Sequence, residues 1–578
     1  MPAQYLKISG ADAATSGAVR RSLAVLRRQM EIPDDFDPDV LADAERAAAR
    51  GPALGTPAPG REDLRALPFL TIDPPGSMDL DQAMALERLA GADAAVGFVV
   101  HYAIADVAAF VEAGGAVDTE SHARGTTLYG PDERTPLHPP VLSEGAASLL
   151  PDADRPAVVW RIVLDSHGEI AAGTDDQPGV TVRRGVVRSV ARLSYDEAQD
   201  ALDGRASSSG AVSREAAGTS WPDGVDRTLT LLRDIGVLRQ ERERERGGVS
   251  LDVPEQVAAT HDDGTTTLEL RSTLPVEGWN AQISLLTGIA AARLMRAGGV
   301  GILRTLPPAD PRDVARLRRT ASALQIPWPE DQPYGELLRT LDSSRPHHAA
   351  FLTEATTLFR GASYLAFGGK DLPGVEALPA GDGGTRHAAI AAEYAHVTAP
   401  LRRLVDRYGT EACLAACSGE PVPGWVLDGL ASLPKTMART GQKAGSFERA
   451  CLDTVEAALV ADRVGESFDG VVVEVDDKPA RHAGQVGQRG QVVVARPALR
   501  APVTGAHLPL GEPVRVRLAE ASIEDRRVAF ALDGADAGAG AGRGDGAGAG
   551  VGVGRGAGAG AGDAPRAGDD TGPVGEGS

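Results

Sequence analysis

The chain has 578 residues, far more than one ordinary domain, and a 42% hydrophobic content that supports a substantial core. Its net charge of −21 excludes a protein that coats nucleic acid indiscriminately, but leaves room for one strand threaded through a locally basic channel. Three cysteines without zinc-type spacing, an N-terminus without a secretory apolar run, and no segment near the ~20 apolar residues of a membrane helix lead us to expect a cytoplasmic, non-membrane protein.

In chain order, residues 1–66 form an N-terminal helical and linker segment. Positions 20–28 and 39–50 carry helical periodicity, and 55–60 (Gly-Thr-Pro-Ala-Pro-Gly) reads as a linker. This segment has no room for a complete OB barrel. Residues 67–466 form a larger region in which strands dominate the first half and helices the second, with helices predicted over 280–297, 311–324 and 448–463. The Ser-, Gly- and Ala-rich stretch 206–218 reads as an exposed insertion. Residues 467–533 alternate β-branched and polar residues in short runs, as in Phe468-Asp-Gly-Val-Val-Val-Glu-Val475. The Gly-Ala tail, 534–578, has no hydrophobic periodicity and is expected to be disordered.

The densest chemistry lies in Thr71-Ile-Asp-Pro-Pro-Gly-Ser-Met-Asp-Leu-Asp-Gln-Ala83. Asp73, Asp79 and Asp81 crowd into nine residues after a strand-like Phe69-Leu-Thr-Ile72 and around a Pro-Pro-Gly turn. Like charges so close need protonation or a cation to offset them. Carboxylate oxygens are hard ligands suited to Mg²⁺ or Mn²⁺, so the cluster reads as a metal site for phosphoryl chemistry. On spacing alone, an acidic surface turn is an equal alternative. Asp79 and Asp81, two apart, would share one side of an extended segment.

This segment resembles the signature of the ribonuclease II and ribonuclease R family (the RNB domain), a strand leading into Ile-Asp and then Asp-x-Asp-Asp-Ala. Asp73, Asp79 and Asp81 fall on the first three acidic positions, and Gln82 stands where the family has a fourth aspartate. Further likenesses follow in order: Ala103-Ile-Ala-Asp-Val107, Arg124-Gly-Thr-Thr-Leu-Tyr-Gly-Pro-Asp132, Pro136-Leu-His-Pro-Pro-Val-Leu-Ser143, Leu193-Ser-Tyr195, Val276-Glu-Gly-Trp-Asn-Ala-Gln282 and Tyr394-Ala-His-Val-Thr-Ala-Pro-Leu-Arg-Arg403. The resemblance implies an α/β (α+β) RNB catalytic domain over 67–466, then a small all-β OB-type, S1-like barrel over 467–533 and the tail. Family members usually carry OB-type barrels ahead of the catalytic domain.

The resemblance also implies roles. Asp73, Asp79, Asp81 and Gln82 would hold Mg²⁺ or Mn²⁺, with Asp81 the least replaceable. Arg402 would clamp the phosphate, since its planar fork meets two oxygens at once, while one of Arg402 and Arg403 pairs elsewhere. Arg403 remains an RNA-contact candidate. Tyr129 would stack on a terminal base. Tyr195 and Glu277 would recognise a ribose 2′-hydroxyl, and Glu448 the last nucleotide. In the barrel, Arg481, Arg489, Arg515 and Arg517 would grip RNA electrostatically. His387 and His396 lack ligand spacing, the alternating Glu and Arg of 241–246 reads as a solvated helix face, and Trp279 and Trp328 read as core.

The expected protein is a monomeric, Mg²⁺-dependent 3′→5′ exoribonuclease. It would degrade single-stranded RNA processively to nucleoside 5′-monophosphates and a short end product. Two rivals stand beside it: a catalytically weakened RNB-fold RNA-binding protein, motivated by Gln82, and a metal-dependent phosphodiesterase acting on DNA or small nucleotides.

Overall fold

The computed structural model describes residues 13–52, 60–89, 97–173, 178–205, 221–251, 255–260, 266–271, 273–343, 345–369, 372–379, 384–476, 480–482, 485–495 and 498–533. Most of the 55–60 linker, the 206–218 insertion and the 534–578 tail lie outside the described residues.

The chain begins with helices α1 (Ala13–Gln29) and α2 (Pro38–Arg50). Asp37 caps α2 by accepting from the Asp39 N–H at 2.9 Å, and Pro38 occupies the first turn, where its missing donor costs nothing. Val19, Leu23 and Leu26 form one buried stripe of α1. Among the described residues, 13–66 contribute no barrel.

Five strands then close into a ring: β1 (Phe69–Asp73), β2 (Gln82–Leu89), β3 (Gly97–Ala105), β4 (Asp154–Leu164) and β5 (Val180–Ser194). Neighbours pair antiparallel from β1 to β5, and the end of β5 returns parallel to β1, with Asp73 opposite Ser194. Phe69, Leu70, Thr71 and Ile72 are all buried, as expected of a strand covered on both faces. The bulky face (Leu70, Ile72, Tyr102, Trp160) meets helices, and the alanine-rich face (Ala83, Ala85, Ala103, Ala157) meets α2 and the loop around Leu142.

Helices α3 (Tyr195–Asp203), α4 (Val225–Glu245), α5 (Pro275–Gly298), α6 (Leu404–Ser418) and α7 (Leu433–Val460) build the second half. Helix α5 is buried on nearly every side and passes the Tyr394–Ala395 backbone at Gly288, where a Cβ would lie 2.1 Å from the Tyr394 ring. Helix α7 starts fifteen residues before the helical signal at 448, because its first turns bury Leu433 and Met437 too sparsely to show a stripe. Phe447 and Cys451 of α7 receive the apolar stripe of α1.

Strands β6 (Ser467–Val475), β7 (Gln485–Ala495), β8 (Ala498–Gly505), β9 (Pro513–Ser522) and β10 (Arg527–Leu532) form a closed five-stranded barrel around Phe468, Val472, Val492, Val516 and Phe530. The barrel is bonded to the helical half. Val473 joins the cluster of Phe351 and Leu358, and Arg500 pairs with Glu354 at 2.6 Å. No helix among the described residues is long and apolar enough to cross a membrane.

Candidate active site

Ring closure brings distant residues to one end of the sheet. Asp73 ends β1, Ser194 and Tyr195 sit opposite it at the end of β5, and Asp81 and Gln82 open β2. Asp73, Asp81, Gln82 and Tyr195 line one cavity of about 3010 Å³, bounded also by α5, α7 and the C-terminal barrel.

Asp81 is a buried carboxylate and Asp73 a half-buried one. Burial raises Asp73 to about 7, with the Asp79 charge adding to the rise and Arg402 opposing it. Burial likewise pushes Asp81 well above the usual carboxylate range, opposed by Arg402 and by the Leu401 N–H. That N–H donates to Asp81 Oδ1 at 2.8 Å, and Arg402 Nε lies 3.5 Å from Oδ2. The other two acidic-motif residues are engaged elsewhere. Asp79 Oδ1 accepts from Arg134 at 2.5 Å. Gln82 Nε2 donates to the Thr398 carbonyl at 2.5 Å, while its Oε1 accepts from the Tyr102 hydroxyl at 3.1 Å. Among the described residues no three His, Cys, Asp or Glu side chains lie close enough to hold a metal ion. The donor chemistry of Asp73 and Asp81 nonetheless suits a hard divalent cation, which characteristically takes one or two carboxylates plus substrate oxygens.

The two adjacent arginines face different partners. Arg402 turns to Asp81. Arg403 is held by both oxygens of the fully buried Asp406, at 2.8 and 2.7 Å. Asp406 also accepts from the Ala399 N–H at 2.7 Å, so a single carboxylate fixes the whole 399–403 turn. Arg403 borders the cavity, but its guanidinium is committed to the turn.

Tyr129, Tyr195, Glu277 and Glu448 all line the same cavity. Tyr129 is buried in a two-residue strand facing Arg134. The Tyr195 hydroxyl accepts from Asn280 Nδ2 at 3.4 Å. Glu277 is spent locally: it accepts the Leu274 N–H at 3.0 Å, capping α5, and pairs with Arg271 at 2.8 Å. Glu448 has a raised pKa from burial alone.

The wall itself corrects the expected basic channel. Among the described residues it carries twelve Asp and Glu side chains against eight Arg and no Lys. Arg489, Arg515 and Arg517 are not among its lining residues, and the Arg481 side chain lies outside the described residues. Among the described residues the barrel arginine on the wall is Arg500, paired with Glu354 and with Glu474 at 3.1 Å. Glu243, read as part of a solvated face, is buried against Gln282 and accepts from Ser250 at 2.7 Å, while Glu241 and Glu245 do form exposed pairs with Arg244 and Arg242. His396, set aside for lack of ligand spacing, borders the cavity and bonds the Tyr364 hydroxyl through Nδ1 at 2.7 Å. Asp406, Arg134 and Tyr364 escaped the sequence reading. For Asp406 a local signal existed, its position one helical turn after Arg403.

The chain is similar to known proteins along most of its length. Residues 61–412 match the RNB domain, and 466–533 match the RNase II-type exonuclease C-terminal S1 domain. Two Arabidopsis thaliana proteins, DIS3-like exonuclease 2 and inactive exonuclease DIS3L2, are each 32% identical over 239 residues, 40% of this chain and 20% of theirs. Ribonuclease R of Escherichia coli (strain K12) is 25% identical over 513 residues, 82% of this chain and 57% of its own. The chain therefore spans between a fifth and somewhat over half of these relatives' lengths. In fold it is similar to Mycoplasma genitalium RNase R in complex with ribose-methylated single-stranded RNA, with a TM-score of 0.71 and 17% identity over 89% of this chain and 78% of that one. The RNB match covers more than half of the residues, and the chain belongs to the RNB-domain family of the ribonuclease II and ribonuclease R type.

Proposed function

We propose that the chain is a 3′→5′ exoribonuclease that hydrolyses single-stranded RNA to nucleoside 5′-monophosphates with Mg²⁺ or Mn²⁺. The observation that carries this reading is the junction of Asp81 with Leu401 and Arg402 on a cavity far larger than the ~300–1,000 Å³ of a small-molecule site, and so roomy enough for a polymer segment. Asp73 and Asp81 would hold the cation, which supplies charge neutralisation at the phosphate and a lowered pKa for the attacking water. Arg402, already turned to Asp81, would meet the non-bridging phosphate oxygens as their charge grows. Water adds to phosphorus, the P–O3′ bond breaks, and the 3′-oxygen leaves as a hydroxyl with one of the water protons. Tyr129 would stack on a base, and Tyr195, its hydroxyl already in a polar contact with Asn280, would face the ribose. With a predominantly acidic wall, retention of RNA relies on stacking and the bound cation more than on phosphate–arginine contacts. We further propose that it acts as a cytosolic monomer; its three cysteines are free thiols.

The test is product analysis. A homopolymeric RNA incubated with protein and Mg²⁺ should yield nucleoside 5′-monophosphates, with matched DNA untouched. Oligonucleotide products, or equal cleavage of DNA, would overturn the reading. One observation favours the weakened RNA-binding alternative: Gln82 and Asp79 are both bonded away from Asp73 and Asp81. Retained RNA binding without hydrolysis would establish it.

A further inference from the structure

One hairpin connects the acidic site to the N-terminal helix. Leu128–Tyr129 pairs with Arg134–Thr135 across a tight turn. On the site's side, the Arg134 guanidinium donates to Asp79 at 2.5 Å and also pairs with Glu144. On the other side, the buried Arg27 of α1 donates to Thr135 Oγ1 at 3.0 Å and the Glu133 carbonyl at 2.9 Å. It also pairs with the carboxylates of Asp132 at 3.2 Å and Glu133 at 3.1 Å, and lies over the Phe447 ring. The hairpin is thus pinned from behind, and Arg134 is held where it meets Asp79.

We propose that Arg134 is a resident cation of the acidic site that withholds Asp79 from metal binding, so that a divalent cation and the Arg134 guanidinium compete for one carboxylate. The proposal rests on reading Asp73 and Asp81 as the cation-binding pair. Asp81 is buried and Asp73 half-buried, and the ion pair of Asp81 with Arg402, at 3.5 Å, is longer than that of Asp79, whose charge is already met. A divalent cation arriving at the pair therefore finds two carboxylates, and gains the third only by breaking the bond to Arg134. Arg134 bridges two acids at once, which suits the planar fork of a guanidinium and would not suit a single ammonium point charge. By fixing the hairpin, α1 sets the strength of this competition.

The experiment is calorimetric titration of the full chain with MnCl₂ and no RNA, on the parent and on Arg134→Gln, Asp79→Asn, their double variant and Glu144→Gln. Arg134→Gln should bind Mn²⁺ about tenfold tighter, a change typical of freeing one close charge partner. The gain should vanish when Asp79→Asn is added. Glu144→Gln, which leaves Arg134 wholly to Asp79, should weaken Mn²⁺ binding and keeps the proposal testable should Arg134→Gln fail to fold. Unchanged or weaker binding by folded Arg134→Gln, or tighter binding by Glu144→Gln, overturns the competition alone. No Mn²⁺ binding by any of these proteins overturns both the competition and the cation-site reading beneath it.

Discussion

The Leu401 N–H donates to Asp81 Oδ1 at 2.8 Å across 320 residues of chain. This bond ties the start of β2 to the 399–403 turn and brings Arg402 to the same carboxylate. Because Asp406 fixes that turn through both Ala399 and Arg403, the geometry around Asp81 depends on an ion pair that never reaches the cavity's carboxylates.

The neighbouring arginines should therefore fail differently when altered. Arg402→Ala should reduce turnover by about 10²–10³-fold, as for loss of one preorganised charge stabiliser, with the melting temperature nearly unchanged. Arg403→Ala strands the buried Asp406 and should destabilise the protein by about 3–5 kcal/mol. Denaturant unfolding and single-turnover kinetics on both variants check this. Equal effects on stability would contradict the division of labour.

Gln82 tethers β2 to the Thr398 carbonyl, so charge restoration there should not help. Gln82→Asp removes the donor and should cost about 1–3 kcal/mol of stability for the carbonyl left unmet, with no gain in hydrolysis. A large gain in turnover would instead favour the weakened-enzyme alternative.

Metal-free protein should lose stability as pH rises. Burial lifts the Asp73 pKa from 3.8 to about 7, so the folded state holds a proton that the unfolded chain releases. Its contribution is fully present below pH ~4 and is lost progressively up to pH ~7, at about 1.4 kcal/mol per unit of pKa. Asp81 acts in the same direction. Thermal melts in chelator between pH 4 and 8 should show the decline, Asp73→Asn should flatten it, and Mg²⁺ should raise the melting temperature at pH 8 but not at pH 5. A flat profile in the parent would contradict the burial of these carboxylates as a charged liability.

Much of this site was legible because its motifs are local. Phe69-Leu-Thr-Ile72 reads as strand-like, and the helix containing Asn280 showed its apolar periodicity plainly. The barrel strands β8 and β10 were not legible: Ala498–Gly505 contains Pro502 and weak strand formers, and Arg527–Leu532 has alanine where a β-branched residue would have marked it. The partners of Asp79 and Gln82 lie 55 and 316 residues away, so no spacing rule reports them. The barrel arginines Arg489, Arg515 and Arg517, expected to grip RNA, do not line the cavity, because charge along the chain carries no information on which side chains face it.

Tyr195→Phe should narrow the preference for RNA over DNA while leaving the fold intact, since what its hydroxyl gives up is the long 3.4 Å contact to Asn280. Loss of one hydrogen bond to a ribose hydroxyl corresponds to about 0.5–1.5 kcal/mol, or roughly two- to tenfold in relative rate. Parallel cleavage of matched RNA and DNA strands measures it, and an unchanged ratio would remove Tyr195 from ribose recognition.

The most direct measurement follows a 5′-labelled single-stranded oligoribonucleotide with Mg²⁺ on a sequencing gel, with the parent and Asp81→Asn side by side. That substitution removes the charge but keeps a side-chain oxygen to accept the Leu401 N–H, so the variant should fold. A ladder shortening from the 3′ end in the parent and intact RNA in the variant is the expected result. Equal shortening in both lanes, or intact RNA in both with the parent still binding it, would contradict an exoribonuclease built on Asp81.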